Sequence, residues 1–169
     1  MGIFFTSDTH FSHANIIQYS KRPYKDVKEM DEALVENWNK VISYKDTVYH
    51  LGDVIFSKDH SILKKLNGYI TFIKGNHDKN ATWDTLDYKE LKYNNRLFIL
   101  CHYPLLTWNK ARHGSIHVHG HCHSTINDLN KNLRRFDVGV DCYNYTPVSI
   151  DQIIEEADKK EIIDVRNYD

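Results

Sequence analysis

The chain is poor in cysteine, proline and glycine, with three Cys, three Pro and seven Gly among 169 residues. The three cysteines (Cys101, Cys122 and Cys142) include no C-x-x-C pair. That excludes a disulfide framework and a thiolate zinc site, and it reads as reduced thiols in a cytoplasmic protein. With so few Pro and Gly there is no low-complexity linker, and the length suits one domain over residues 1–169 with a real core. Charge of one sign is also missing. Twenty-two basic against 23 acidic residues leave a net charge of −1, so there is no bulk electrostatic case for nucleic acid or an anionic membrane. Nucleic acid is compatible with the chain but not indicated by its charge. No apolar run approaches transmembrane length. Met1-Gly2-Ile3-Phe4-Phe5 has no basic region and turns polar at Thr6, so no secretory leader is expected. No internal repeat is visible, and no oligomer is specified.

Histidine, by contrast, is abundant: there are eleven, and six of them lie between His102 and His123. Short polar clusters follow directly on apolar runs at five places: Asp8-Thr9-His10, Gly52-Asp53, Gly75-Asn76-His77-Asp78, His102, and Gly120-His121-Cys122-His123. The runs before them are Ile3 to Phe5, Thr47 to Leu51, Tyr69 to Ile73, Arg96 to Cys101 and Ile116 to His119, and each reads as a buried strand. Helical signals lie between them. Asp26-Val27-Lys28-Glu29 has the form of a capping box, with Met30, Leu34, Trp38, Val41 and Ile42 at helical spacing behind it. Ala14 to Tyr19 and Ser57 to Leu66 read as further helices, and the Ser149-Ile150-Asp151-Gln152 box opens one through about Ala157. Val138 to Asp141 and Ile162 to Val165 read as strands. The pattern predicts an α/β protein with mixed sheets.

Ligands in α/β sheets gather beyond the carboxyl ends of strands, which is where the five clusters fall. Asp8 and His10 are two apart, as are His121 and His123, so extended geometry would send each pair to one side. With Asp53, Asn76 and His102 they make seven oxygen and nitrogen donors. Seven are too many for one open metal site and suit two metals that share the two oxygens of Asp53. Oxygen and imidazole donors without thiolate point to manganese, iron, zinc or nickel, in divalent or trivalent form. His77 is left over beside Asn76, and it is suited to act as general acid for a leaving alkoxide, with Asp78 as an orienting partner.

The ordered set D-x-H, G-D, G-N-H-D, H and G-H-x-H resembles the signature of calcineurin-like metallophosphoesterases, in the small single-domain form of bacteria and phages. The resemblance runs from Asp8 to His123 and on to Val138-Gly139-Val140-Asp141. It implies a four-layer α-β-β-α sandwich of two mixed sheets flanked by helices. It implies one metal held by Asp8, His10, Asp53 and His123 and another by Asp53, Asn76, His102 and His121. It further implies hydrolysis of a phosphate ester by a metal-bridging hydroxide, with His77 as the acid. A phosphodiesterase acting on a nucleotide-like ester is the favoured reading, ahead of a nuclease or nucleic-acid phosphatase and of an inert protein-binding scaffold.

Other residues carry weaker signals. Arg22, in a loop after the first ligands, and His13 are candidates for binding substrate phosphate. His117 and His119 continue the alternation but fall inside a strand, away from the metals. His50 reads as core or support for the site, and His60 and His113 as surface residues. The Trp108 to His113 loop is placed to overhang the site, or else to be a solvated connection. Lys131, Arg134 and Arg135 form a small basic run, read as solvated.

Overall fold

Runs of aromatic and β-branched residues bury one face of a strand on one core and the other face on a second. The computed structural model describes residues 1–162 and turns the five predicted runs into neighbours in two sheets. In chain order its first half contains β1 (Ile3–Thr6), α1 (Ala14–Tyr19), α2 (Val27–Val41), β2 (Thr47–His50), β3 (Tyr69–Ile73) and β4 (Thr85–Leu86). The second half contains β5 (Tyr88–Tyr93), β6 (Arg96–Cys101), β7 (Ile116–His119), α3 (Asn127–Asn130), β8 (Arg135–Asp137), β9 (Val148–Ser149) and α4 (Ile150–Asp158). One sheet runs β4-β3-β2-β1-β9, parallel except for β9, and the other runs β5-β6-β7-β8, parallel except for β5.

The period of two decides which residue faces where. Phe5, Tyr49, Leu51 and Ile73 of the first sheet meet Phe98, Leu100, Ile116, Val118 and Phe136 of the second in one core, which Ile150, Ile153 and Ala157 of α4 join. The opposite face of the first sheet, with Val48, Ile70 and Phe72, packs on Met30, Leu34 and Trp38 of α2. The outer face of the second sheet is covered by α3, whose Asn130 bonds Arg135, and by the segment 103–115, whose Leu105 bonds His117 and Arg135. The order of layers is the expected α-β-β-α sandwich of two mixed sheets.

Local chemistry explains the helices. The Asp26 carboxylate accepts the Glu29 N–H at 2.9 Å and caps α2. The returning Glu29 carboxylate takes the Lys25 N–H rather than that of Asp26, so the capping box is offset by one residue. The box at Ser149 and Gln152 is closed in both directions and starts α4.

The structure corrects several expectations. Ser57 to Leu66 is not a helix; only Ser61–Lys65 forms a 3₁₀ turn. The Ser57 hydroxyl accepts from Asp59 N–H, and the Asp59 carboxylate accepts from Ser61 N–H and its hydroxyl. Such side-chain bonds compete with helical ones. The strand near Val138 lies earlier, at β8, because the Asp137 carboxylate accepts the Gly139 N–H and turns the chain into a 3₁₀ turn at Val140–Cys142. Val41 is 39% exposed and Ile42 alone turns inward. β5 was not expected because Lys89, Glu90 and Lys92 interrupt its apolar pattern; as an edge strand it tolerates them. The strand expected over Ile162 to Val165 lies, past Ile162, outside the described residues.

The outer face of the second sheet is polar, and its His117, His119 and Arg135 are buried. Leu105 N–H donates to His117 Nε2 at 3.0 Å, leaving Nδ1–H to donate to the Ile99 carbonyl at 2.9 Å. His119 Nδ1–H donates to the Gly120 carbonyl, and Arg135 donates to Asn130 Oδ1 and to the Leu105 carbonyl. Burial, the larger cause, holds the His117 imidazole down to about 3, well below the ordinary 6.5. Below pH 6.5 the unfolded chain therefore takes up a proton that the folded one refuses, and stability falls by about 1.4 kcal/mol per pH unit until pH approaches the folded value. A His117→Gln variant lacks this dependence. Between pH 8 and pH 5 the stability of the wild type relative to the variant is expected to fall by about 2 kcal/mol. Urea unfolding of the metal-free proteins at the two pH values reads it, and a constant difference would refute the neutral assignment.

Candidate metal centre

The carboxyl ends of β1, β2, β3, β6 and β7 converge at one end of the sandwich, and each is followed by one of the five polar clusters. Close approach of these loops is achieved by glycine. A methyl group at Gly75 would collide with the Asp53 carboxylate and amide, and one at Gly120 with Ser7 Oγ and Asp8 Oδ2. The β1 and β2 loops are laced by backbone bonds from Asp8 N–H to the Gly52 carbonyl, His10 N–H to that of Asp53, and Phe11 N–H to that of Val54.

The backbone is not extended at the ligand pairs, contrary to the sequence expectation. Asp8, His10, Asp53, His121 and His123 all adopt left-handed φ values of 45–73°. Each such non-glycine residue costs on the order of 1–3 kcal/mol and persists where its surroundings over-determine it. Asp8 and His10 thus meet in one donor group through these turns and not through strand pleating, while His121 and His123 are sent to different groups.

Six of the seven candidate donors form two groups, Asp8–His10–His123 and Asp53–His102–His121, with the donor atoms of each group within 4.8 Å of one another. Asn76 joins the second, its Oδ1 lying 3.0 Å from His102 Nε2. Each carboxylate is divided between two tasks. Asp8 Oδ2 accepts the His121 N–H at 2.9 Å, while Oδ1 lies 3.9 Å from both His10 Nε2 and His123 Nε2. Asp53 Oδ1 accepts the His77 N–H at 2.9 Å, while Oδ2 lies 3.8 Å from His10 Nε2 and 3.6 Å from His102 Nε2. Asp53 therefore touches both groups.

These donors fit cations. Separations of 3.6–3.9 Å are too long for hydrogen bonds. Ligand atoms at about 2.0–2.2 Å from one ion stand roughly 3 to 3.5 Å apart, so the separations are close to those of shared ligands. Asp8 Oδ1 and both ring nitrogens of His10 are buried with no hydrogen-bond partner among the described residues. Buried polar atoms of that kind call for an ion or water. Burial, only partly offset by His123, pushes the Asp8 carboxyl up to about 8, so an ionised Asp8 needs a cation beside it. Burial, with His123 and Arg22 adding to it, drives His10 well below the ordinary imidazole range and keeps its lone pair free.

Two histidines are oriented from behind. His102 Nδ1 donates to the Leu51 carbonyl at 2.6 Å, and His123 Nδ1 donates to Asp141 Oδ2 at 2.7 Å, so each presents Nε2 to the site. For His123, burial opposes the proton but the Asp141 bond and the Asp8 charge outweigh it, and its affinity for a proton is raised.

Several sequence expectations change here. Arg22 is buried and does not face the site. Its guanidinium donates to both Asp141 oxygens and to the carbonyls of Asp8 and Thr9, so a phosphate-binding role is replaced by support of the β1 loop and of Asp141 behind His123. Asp78 does not orient His77; its carboxylate accepts the N–H groups of Asp53, Val54 and Gly75 and ties two ligand loops together. The Trp108 to His113 loop does not overhang the metals, since Trp108 packs on His117 at 5.4 Å over the second sheet. The basic run is not solvated throughout, because Arg134 and Arg135 bond the Lys160 and Leu105 carbonyls. His13 stays near, its ring stacked on Phe56 at 3.9 Å and 5.5 Å from His10. His50 is core support, bonded to Thr9 Oγ1 at 2.9 Å. Sequence alone gives no role to Asp141, whose signal is only its place in the Val138 to Asp141 tail. It also passes over the exposed aromatics Phe56 and Tyr103, which flank the centre beside His77 and His121 at 4.9 Å each.

Comparison with known proteins agrees with this geometry. The profile of the calcineurin-like phosphoesterase superfamily domain matches residues 1–150. The chain is similar to uncharacterized protein MJ1445 of Methanocaldococcus jannaschii, with 40% identity over 95% of this chain and 94% of that one. It is 26% identical to the gene 66 protein of Mycobacterium phage D29, over 90% of this chain and 94% of that one. The crystal structure of AQ665 from Aquifex aeolicus, a protein of unknown function, superposes with a TM-score of 0.73 at 26% identity, covering 91% of this chain and 98% of that chain.

Proposed function

Since this chain belongs to the calcineurin-like phosphoesterase superfamily, we propose that it is a binuclear metal-dependent phosphodiesterase that uses His77 as general acid. One observation carries the reading: Asp53 Oδ2 lies between His10 Nε2 and His102 Nε2, joining a group with unpartnered buried donors to a second histidine group. Asp8, His10, Asp53 and His123 would hold one ion, and Asp53, Asn76, His102 and His121 the other. An oxygen and imidazole donor set without thiolate suits manganese, iron, zinc or nickel. Two such ions would supply Lewis-acid activation of the phosphoryl group and of the attacking water.

The protein's own groups do the rest. Asp8 and Asp53 each anchor one carboxylate oxygen on a backbone N–H and keep the other free. Leu51 and Asp141 fix the tautomers of His102 and His123. His77 is exposed, with its ring 5.8 Å from that of His10, at the mouth of the centre. There the ring meets the oxygen of a departing alcohol and is placed to give it a proton. Exposed Phe56 beside His77 and exposed Tyr103 beside His121 offer an apolar surface for each of two organic substituents on phosphorus, which supports a diester. No helix among the described residues is long and apolar enough to cross a membrane. The three unpaired thiols support a reducing, cytoplasmic setting.

Reconstitution with manganese, iron, zinc or nickel is expected to give turnover of bis-p-nitrophenyl phosphate exceeding that of p-nitrophenyl phosphate, with cyclic nucleotides as further substrates. Absence of turnover with every metal would remove the enzymatic reading. Faster cleavage of the monoester would replace the diesterase with a phosphatase.

A further inference from the structure

A cleft of about 600 Å³ opens from the metal centre on the side of His77. Asn76 and His77 belong to both, and Phe56 stands at the junction, 40% exposed, its ring 5.2 Å from His10 and 4.9 Å from His77. The far wall includes the Trp83 indole, packed on Phe72 at 5.2 Å. Lys58 and Lys79 line it as well, and both are exposed. Among the described residues, Asp78 is the one carboxylate in the lining, and it is buried and bonded to three backbone N–H groups. The cleft is therefore aromatic at its entrance and wall, cationic in its side chains, and free of available negative charge. Its volume falls in the range of small-ligand pockets.

Position assigns it a role. A general acid must lie within hydrogen-bond reach of the oxygen it protonates, so the leaving group of the ester sits on the His77 side of phosphorus. The body of that group then continues past His77 and Phe56 into the cleft, while the retained phosphoryl substituent lies toward Tyr103 and His121. We propose that this cleft is a leaving-group pocket, selecting an aliphatic alcohol that carries an aromatic base and a second phosphate, of the nucleotide type. This rests on the assignment of His77 above. Phe56 offers a face on which a base stacks, and Lys58 and Lys79 offer the charge for the second phosphate. In the step itself, water forms the new P–O bond and releases one proton to solvent, the bond to the leaving oxygen breaks, and the His77 proton moves to that oxygen, after which His77 regains a proton from solvent.

The test has a binding arm and a kinetic arm. Calorimetry on the metal-free protein is expected to show adenosine 3′-phosphate binding about tenfold more tightly than adenosine or inorganic phosphate alone. Phe56→Ala and the double variant Lys58→Glu/Lys79→Glu should each lose about tenfold of that affinity. In the kinetic arm, the metal-loaded enzyme should prefer adenylyl-adenosine bearing a 3′-phosphate on its leaving nucleoside over the unphosphorylated dinucleotide. The double lysine variant should erase that preference. Equal binding of the three ligands, or variants that leave the affinities unchanged, would overturn the pocket. So would tight binding of a long oligonucleotide with steep salt dependence, which describes a strand groove instead. If no substrate turns over, the function proposed above fails, and the binding arm alone still decides the pocket.

Discussion

Asp53→Asn is expected to lower the metal content from two ions to at most one and to cut kcat/KM by about 10³-fold or more, because the carboxylate serves both halves of the centre. Its Oδ2 stands 3.8 Å from His10 Nε2 and 3.6 Å from His102 Nε2, so the loss reaches beyond a single ligand. Asparagine retains one oxygen, which the His77 N–H already claims at 2.9 Å, leaving an amide nitrogen where the free oxygen stood. An amide N–H cannot ligate and would repel a cation. The variant should still fold. Asp53 is one of the charges that push the Asp8 carboxyl up, so replacing it relieves repulsion in the metal-free protein. Metal analysis beside urea unfolding separates the two effects: lost metal with unchanged or raised metal-free stability is the expected pair. Retention of both ions would show that Asp53 does not bridge, and loss of folding would show that its part is structural.

The comparison of sequence and structure turns on the kind of information each residue carries. All five strands ending in ligands were legible, because each is a short apolar run closed by a polar cluster, and Arg96–Cys101 and Ile116–His119 match residue for residue. Edge strand β5 was not legible, since an exposed strand carries charge on its open face and loses the alternation. The donors were legible as a set, yet the reason they converge was misread: five of them sit in left-handed backbone that no spacing rule reveals. The supports were the least legible. Arg22 looked like a phosphate binder because arginine near a ligand loop has that chemistry, but its fork meets Asp141 from 119 residues away. Local sequence cannot express a pairing across such a separation. Asp78 was likewise assigned to its sequence neighbour His77, whereas its partners Asp53 and Val54 lie on the adjoining strand-end loop.

His77→Ala is expected to leave two ions in place and to lower kcat for esters of poor leaving groups by about 10²–10⁴-fold, the range of a positioned general acid. The geometry makes this substitution unusually clean. His77 bonds Asp53 through its backbone N–H, which alanine keeps, so the ring is removed without freeing the carboxylate that joins the two groups. The ring itself is exposed and lies tilted against Phe56 at 4.9 Å, so its loss creates no buried cavity. A leaving group that departs readily as an anion, such as p-nitrophenolate, needs little protonation and should suffer much less than an alkyl alcohol. The expected signature is thus a steeper dependence of kcat on leaving-group acidity. A uniform fall across leaving groups would assign the ring to binding the phosphoryl group. Loss of an ion would make it a ligand, and Asn76 or His121 would then have to be released from that role. Because the cleft beyond His77 is defined by the side on which the proton is delivered, the same leaving-group series also decides which substituent of a diester enters it.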